Sequence, residues 1–349
     1  MPIGSQMPPG SAVTRGAALS EALAAARLPL MLGPLFVHAC LSPERSSVQF
    51  VLARVLGDVA VPAFFFIAGL LYFAGFDGTA RCYARKLRGR ARSLAVPYLL
   101  WNLIGYVLLA YAVPMVGKAD FFNSFWAVRV AYRGVSTAPV DGPLYFIKGL
   151  AFLSLGAPLG YLALRERRLA WTAPLAAAFW VASPVAALDG RMAVVATSMF
   201  MLGGFFAVRA PGALPPLATP GRPAAAAVAV FAAVALVTTA LHLSGLDSAC
   251  VRRLCILAGI PCSIALGGML ARSAAGPLLK RSQGFAMFLF CSFDLIIAAS
   301  RKAWRPLRDM SDATCVGVAA GTFAMSLAAY LLLRAVAPWL LRLLTGGRR

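Results

Sequence analysis

Apolar residues run along this chain in blocks rather than in alternating stripes. About ten blocks are near 20 residues long, the length that crosses a hydrocarbon core of ~30 Å as a helix. They fall near 22–41, 48–75, 93–113, 143–164, 169–188, 192–208, 224–243, 254–271, 284–300 and 314–337. Because each block is continuously apolar, the pattern predicts helices and not a transmembrane barrel, whose strands alternate. The second block is long enough to tilt strongly or to break near Pro62. The expected fold class is therefore all-α: a polytopic transmembrane helical bundle of about ten spans. Residues 1–20, with Pro8, Pro9, Gly10 and Gly16, read as a flexible cytoplasmic tail, and 21–349 as a single transmembrane domain. There is no internal repeat, and Pro211–Pro223 forms a stiff loop near the middle of the chain.

Composition agrees with this pattern. Hydrophobic residues make up 60% of the chain and charged residues 13%, with a mean hydropathy of +0.79. A soluble domain is about 45–50% apolar and 25% charged, so this chain has too little polar surface to coat a globule. The net charge of +21 alone could suggest nucleic acid, but the Lys and Arg residues sit in short stretches between apolar blocks. That is the signature of cytoplasmic loops, and it argues against a nucleic-acid partner.

Ten spans put both termini on one side. With that side cytoplasmic, the basic loops fall together: Arg81 to Arg92, Arg165 to Arg168, Arg272 to Arg281, and the end with Arg342, Arg348 and Arg349. One loop breaks the rule, because Arg301, Lys302, Arg305 and Arg308 follow the ninth span on the expected outer side. The seven cysteines contain no CxxC pair and there are only two histidines, which argues against a metal site or a disulfide framework. The thiols are expected to act as small hydrophobes.

Ionisable residues inside the spans are the candidates for chemistry, because they are costly there. The first span holds Arg27 and, eleven residues on, His38. Eleven helical steps return to within roughly 20° of the same face and rise roughly 16 Å. This puts Arg27 near the cytoplasmic mouth and His38 in mid-membrane, unless Pro29 and Pro34 kink the helix. A histidine there suits a general base; equally, it could be satisfied by a neighbouring helix while Arg27 snorkels to the interface. Five cations lie between Cys82 and Asn102, ahead of the third span. They could hold phosphate, although composition alone favours a topology role with membrane-lipid contact. Tyr145 and Lys148 open the fourth span after Asp141. Asp294 is a lone carboxylate in the ninth span and needs a partner, for which Lys148 or Arg27 is the guess.

Taken in order, these segments resemble the membrane acyltransferase-3 family of bacterial integral-membrane O-acyltransferases of surface polysaccharides. The resemblance rests on Arg27 with His38, the stretch Pro62 to Gly69, the basic run Arg85 to Asn102 ending in PYLLWN, and Pro143 to Leu150. Phe200 to Gly203 is similar to a later family segment. The resemblance implies a multi-pass protein of the cell inner membrane. It would move an acyl group, usually acetyl from cytoplasmic acetyl-CoA, to a hydroxyl of an envelope glycan or glycolipid. It implies catalytic roles for His38 and Arg27, binding of the CoA phosphates by Arg85, Arg88 and Arg92, and substrate contacts from Tyr145, Lys148 and Asp294. No metal is expected. Lys148 stands where the family usually has Arg; Ala24 replaces an acidic residue, Ala68 a serine, and Asp294 stands where a His could be expected. A transporter or flippase of a lipid-linked glycan, or a catalytically inactive relative, are the alternatives.

Overall fold

The computed structural model describes residues 9–44, 46–112, 129–131, 134–136, 142–183, 192–303, 307 and 311–348. The helices in chain order are α1 (Pro9–Ala39), α2 (Ser47–Phe73), α3 (Ala80–Arg90), α4 (Val96–Ala112), α5 (Tyr145–Arg165), α6 (Leu169–Ala182), α7 (Met192–Val208) and α8 (Arg222–Leu243). They continue with α9 (Ala249–Arg272), the short α10 (Gly276–Arg281), α11 (Gln283–Ala303), α12 (Asp312–Val336) and α13 (Pro338–Leu344). Two three-residue strands, β1 (Arg129–Ala131) and β2 (Gly134–Ser136), pair antiparallel. Every apolar block of the sequence has its helix, and among the described residues seven helices are long and apolar enough to cross a membrane. The last part of the block expected over 169–188 and most of the loop expected over 114–142 lie outside the described residues.

Two expected irregularities resolve differently. Helix α1 is continuous through Pro29 and Pro34, and it begins at Pro9, inside the stretch expected as a tail. In α2 the break comes before Pro62: a π-helical stretch at Val51–Gly57 leads to a new α-helical segment at Ala60–Phe73. Pro62 then sits in the first turn of that segment, where a missing N–H costs nothing.

The chain divides into two compact units. The first comprises residues 1–30, 58–74 and 164–283. Its most extensive packing is between the second half of α2 and α7. A Cβ at Gly69 would overlap the Phe200 carbonyl, and one at Gly203 would overlap the Phe66 carbonyl. The two backbones touch, which is how helices associate where lipid removes the hydrophobic drive. Helices α8 and α9 also meet through small residues, Ala224 and Ala227 against Ala265. The outward side of α8 is apolar, with Leu236 72% exposed, and only 11% of the helix's most apolar window is buried. Lipid is the solvent that suits such a surface.

The second unit comprises residues 31–57, 75–163 and 284–349. Trp101 of α4 donates its indole N–H to the Leu344 carbonyl at 3.1 Å and packs edge-on against Phe288 of α11. Phe285, Phe323 and Tyr330 join α11 to α12. The PYLLWN stretch therefore does architectural work: buried Asn102 donates to the Tyr98 carbonyl, one turn back.

Arginine recurs in both units as a cap on backbone carbonyls. Arg209 donates to Leu164 and Arg165 at the end of α5, Arg253 to Trp180 and Ser183 at the end of α6, and Arg272 to Ala218. Arg301 donates to Ala39 at the end of α1, and Arg348 to Ser93. A cation at a helix C-terminus satisfies orphan carbonyls and complements the helix dipole. This accounts for Arg301 in the loop that breaks the charge rule: it closes α1.

The reading against a disulfide framework is corrected at one pair. Cys40, directly after α1, is bonded to Cys315 in the first turn of α12, with the two Cα atoms 4.8 Å apart. Cys82, Cys250, Cys255, Cys262 and Cys291 are outside any disulfide, and all but Cys250 are buried.

Candidate active site

His38 lies in the last turn of α1, within the second unit. Its Nδ1 is 2.7 Å from Oδ1 of Asp294 on α11, with the two side chains 34% and 29% exposed. Phe293 packs edge-on against the imidazole at 5.1 Å. The ring is thus oriented from one side by a carboxylate and from another by an aromatic wall. A carboxylate on Nδ1 favours the tautomer with its proton there, leaving Nε2 as the basic nitrogen. Where the sequence reading pairs Asp294 with Lys148 or Arg27, the structure pairs it with His38.

The start of α5 also reaches this pair. A methyl group on Gly142 would meet Oδ2 of Asp294 at 3.5 Å. Phe146 stacks edge-on against Phe290 of α11 at 5.4 Å. Tyr145 and Lys148, both half-buried, follow in the first two turns of α5. The structure therefore brings His38, Asp294 and the start of α5 into one neighbourhood of the second unit.

Arg27 belongs to the first unit. Its guanidinium donates to Oε1 of Gln283, whose amide donates in turn to the Ala24 carbonyl at 2.8 Å. Beside it, Lys280 is 3.2 Å from Glu21. Gln283 carries no sequence signal as a functional residue. Its eleven-residue spacing from Asp294 repeats the spacing of Arg27 from His38, a pairing that shows only once the helices are placed.

The basic stretch becomes helix α3, capped at its start by Thr79, whose hydroxyl accepts from Cys82 N–H. The backbone N–H and hydroxyl of Thr79 both donate to Asp77 at 2.8 Å and hold its carboxyl below the usual range. Arg81, Arg85, Arg88 and Arg92 are all exposed. At 100° per residue Arg81, Arg85 and Arg88 fall within roughly 60° on one face of α3, and Arg92 follows in the π-helical turn Ala91–Ala95. Arg81 was not among the sequence candidates, yet it completes the stripe. Lys86 points elsewhere, with its ammonium close to Gly75, and burial lowers its pKa.

Long apolar helices, two of them joined by an imidazole–carboxylate pair, define a multi-pass membrane protein. The chain belongs to the acyltransferase domain family known as acyltransferase-3, whose profile matches residues 22–347, and it is a membrane acyltransferase. It is 29% identical over 360 residues to the succinoglycan biosynthesis protein ExoH of Rhizobium meliloti (strain 1021), an alignment covering 92% of this chain and 90% of that protein. No solved structure matches it.

Proposed function

We propose that this protein is an inner-membrane O-acyltransferase that moves an acyl group, in the first instance acetyl, from cytoplasmic acyl-CoA to a hydroxyl of an envelope glycan or glycolipid. The observation that carries the reading is the 2.7 Å contact between His38 Nδ1 and Asp294. Membership of the acyltransferase family supports the reaction type. A relative named for succinoglycan biosynthesis supports a glycan acceptor.

In this mechanism Nε2 of His38 takes the proton of the acceptor hydroxyl as its oxygen attacks the thioester carbonyl. The C–S bond breaks, the new ester forms, and the imidazolium returns its proton to the departing thiolate. Asp294 holds the imidazole by Nδ1 and stabilises the imidazolium. Tyr145 and Lys148, at the start of α5, contact the substrate beside Asp294. The exposed arginine stripe, with Arg85, Arg88 and Arg92 at its centre, receives the CoA phosphates, for which guanidinium forks are suited, and the extended pantetheine arm carries the thioester from there into the bundle toward His38. Arg27 supplies a fixed positive charge for the donor.

The test is CoA release from acetyl-CoA by purified protein in lipid, with envelope extract as acceptor, comparing wild type with His38→Ala. General-base catalysis is worth about 10²–10⁴-fold, so the folded variant should lose at least about 10²-fold in turnover. Equal rates in the two proteins would overturn the assignment of His38. Silence from folded wild type across a panel of acyl-CoAs would favour the transporter or the inactive relative.

A further inference from the structure

The Cys40–Cys315 bridge lies two residues beyond His38. Its thiols are buried, at 5% and 2% exposure, and pack with Ala53 beneath Phe36, Val37 and Leu52. Other bonds hold the same short segment. Arg301 donates to the Ala39 carbonyl. Asp312, at the start of α12, accepts from the Ser46 hydroxyl at 2.5 Å and from the Gln49 amide at 3.0 Å. Gln49, 1% exposed, accepts from the Ser42 N–H at 3.2 Å. Residues 39–44 and 46–49 are therefore fixed by α11 and α12, with the disulfide as the covalent tie.

The bond also carries information about sides. Disulfides persist in oxidising compartments, and the cytosol keeps thiols reduced. The 27 residues of α2 separate this segment from basic α3, and at 1.5 Å per residue they span roughly 40 Å, enough to cross the membrane. Arginine-rich α3, with the free thiol of Cys82, then belongs to the cytoplasmic face, and the bridge to the opposite one. His38, two residues from the bridge, lies in the half of α1 nearer that face.

We propose that the Cys40–Cys315 disulfide is made on the extracytoplasmic face and is a positioning clamp, holding the His38 end of α1 so that the acyl group is handed over on that side. Its chemistry is a dithiol oxidation. The two thiols give up two protons and two electrons to the disulfide of an extracytoplasmic thiol–disulfide oxidoreductase, which becomes a dithiol. The part concerning handover rests on the function proposed above; the bridge and its side do not.

The experiment uses the full chain in native membranes. Spheroplasts are treated with a membrane-impermeant maleimide before and after an impermeant phosphine reductant, and the labelled cysteines are mapped by peptide mass. Cys40 and Cys315 should resist label at first and take it from outside only after reduction, while Cys82 stays unlabelled. Free thiols at Cys40 and Cys315 before reduction, or labelling of the pair only from the cytoplasmic side, would overturn the proposal. The second arm measures CoA release by the Cys40→Ser/Cys315→Ser protein and by reduced wild type, both shown to be folded. Misplacing a catalytic group by an ångström costs about 10²-fold. Accordingly kcat should fall about tenfold to 10²-fold at unchanged KM for acetyl-CoA, and reoxidation should restore the reduced wild type. An unchanged kcat without the bridge refutes the clamp. If wild type shows no turnover at all, the function reading fails by itself, and the clamp is read from diethyl pyrocarbonate modification of His38. That rate should change on reduction, and a constant rate overturns it.

Discussion

In the proposed mechanism Asp294 is the residue on which the chemistry of His38 turns. Without its carboxylate the imidazole loses both its tautomer preference and the partner of its charged form. The Asp294→Asn protein should therefore keep its fold and its KM for the donor while kcat falls, by less than the roughly 10²–10⁴-fold expected for loss of the base itself. Stopped assays on lipid-reconstituted protein would measure it, and a wild-type kcat would show that the carboxylate does not serve the base. His38, Arg27 and Asp294 were legible in the sequence because ionisable groups stand out in apolar blocks. Their partners were not. The contacts of Arg27 with Gln283 and of His38 with Asp294 each join residues 256 apart, and no local pattern reports such a distance. The same holds for Cys40 and Cys315, separated by 275 residues, whereas disulfide expectations from sequence rely on close spacing.

At the scale of elements, the helices were legible because length and apolarity decide them, while their meeting faces were hidden by small residues that look bland in a sequence. The Phe200 to Gly203 segment reads as a family signature; in the structure its glycine is the place where α7 touches α2. A side chain at Gly203 would push against the Phe66 carbonyl, which cannot swing away as a flexible side chain would. Overpacking of this kind costs about 1–3 kcal/mol. Gly203→Val should therefore lower the yield of monodisperse protein in detergent chromatography and the temperature at which it aggregates; an unaltered profile would mean that the two helices separate freely. The basic loops were read as topology signals, and the structure adds a second use: Arg272 and Arg348 from them hold backbone carbonyls of other segments.

For the whole molecule, the exposed apolar belt decides the environment. Leu236 lies deep within α8 at 72% exposure, facing out from a helix that has little protein around it. Placing a charge near the centre of a span costs about 2.5–3.5 kcal/mol on insertion scales. Leu236→Arg should therefore reduce membrane insertion of α8, read as glycosylation or reporter accessibility at its flanks, while Leu236→Phe should not. Equal insertion of the two would place this face of α8 against protein or water.

The arginine caps also bear on how the protein is made. Each of these arginines comes later in the chain than the carbonyls it holds on another segment: Arg209 after Leu164, Arg253 after Trp180, Arg272 after Ala218, Arg301 after Ala39, and Arg348 after Ser93. Synthesis runs from the N-terminus, so every such cation reaches the bilayer when its acceptor has already been laid down. The cost of bringing in the charge is then met at the moment of arrival, and the order of translation becomes part of the way this protein assembles.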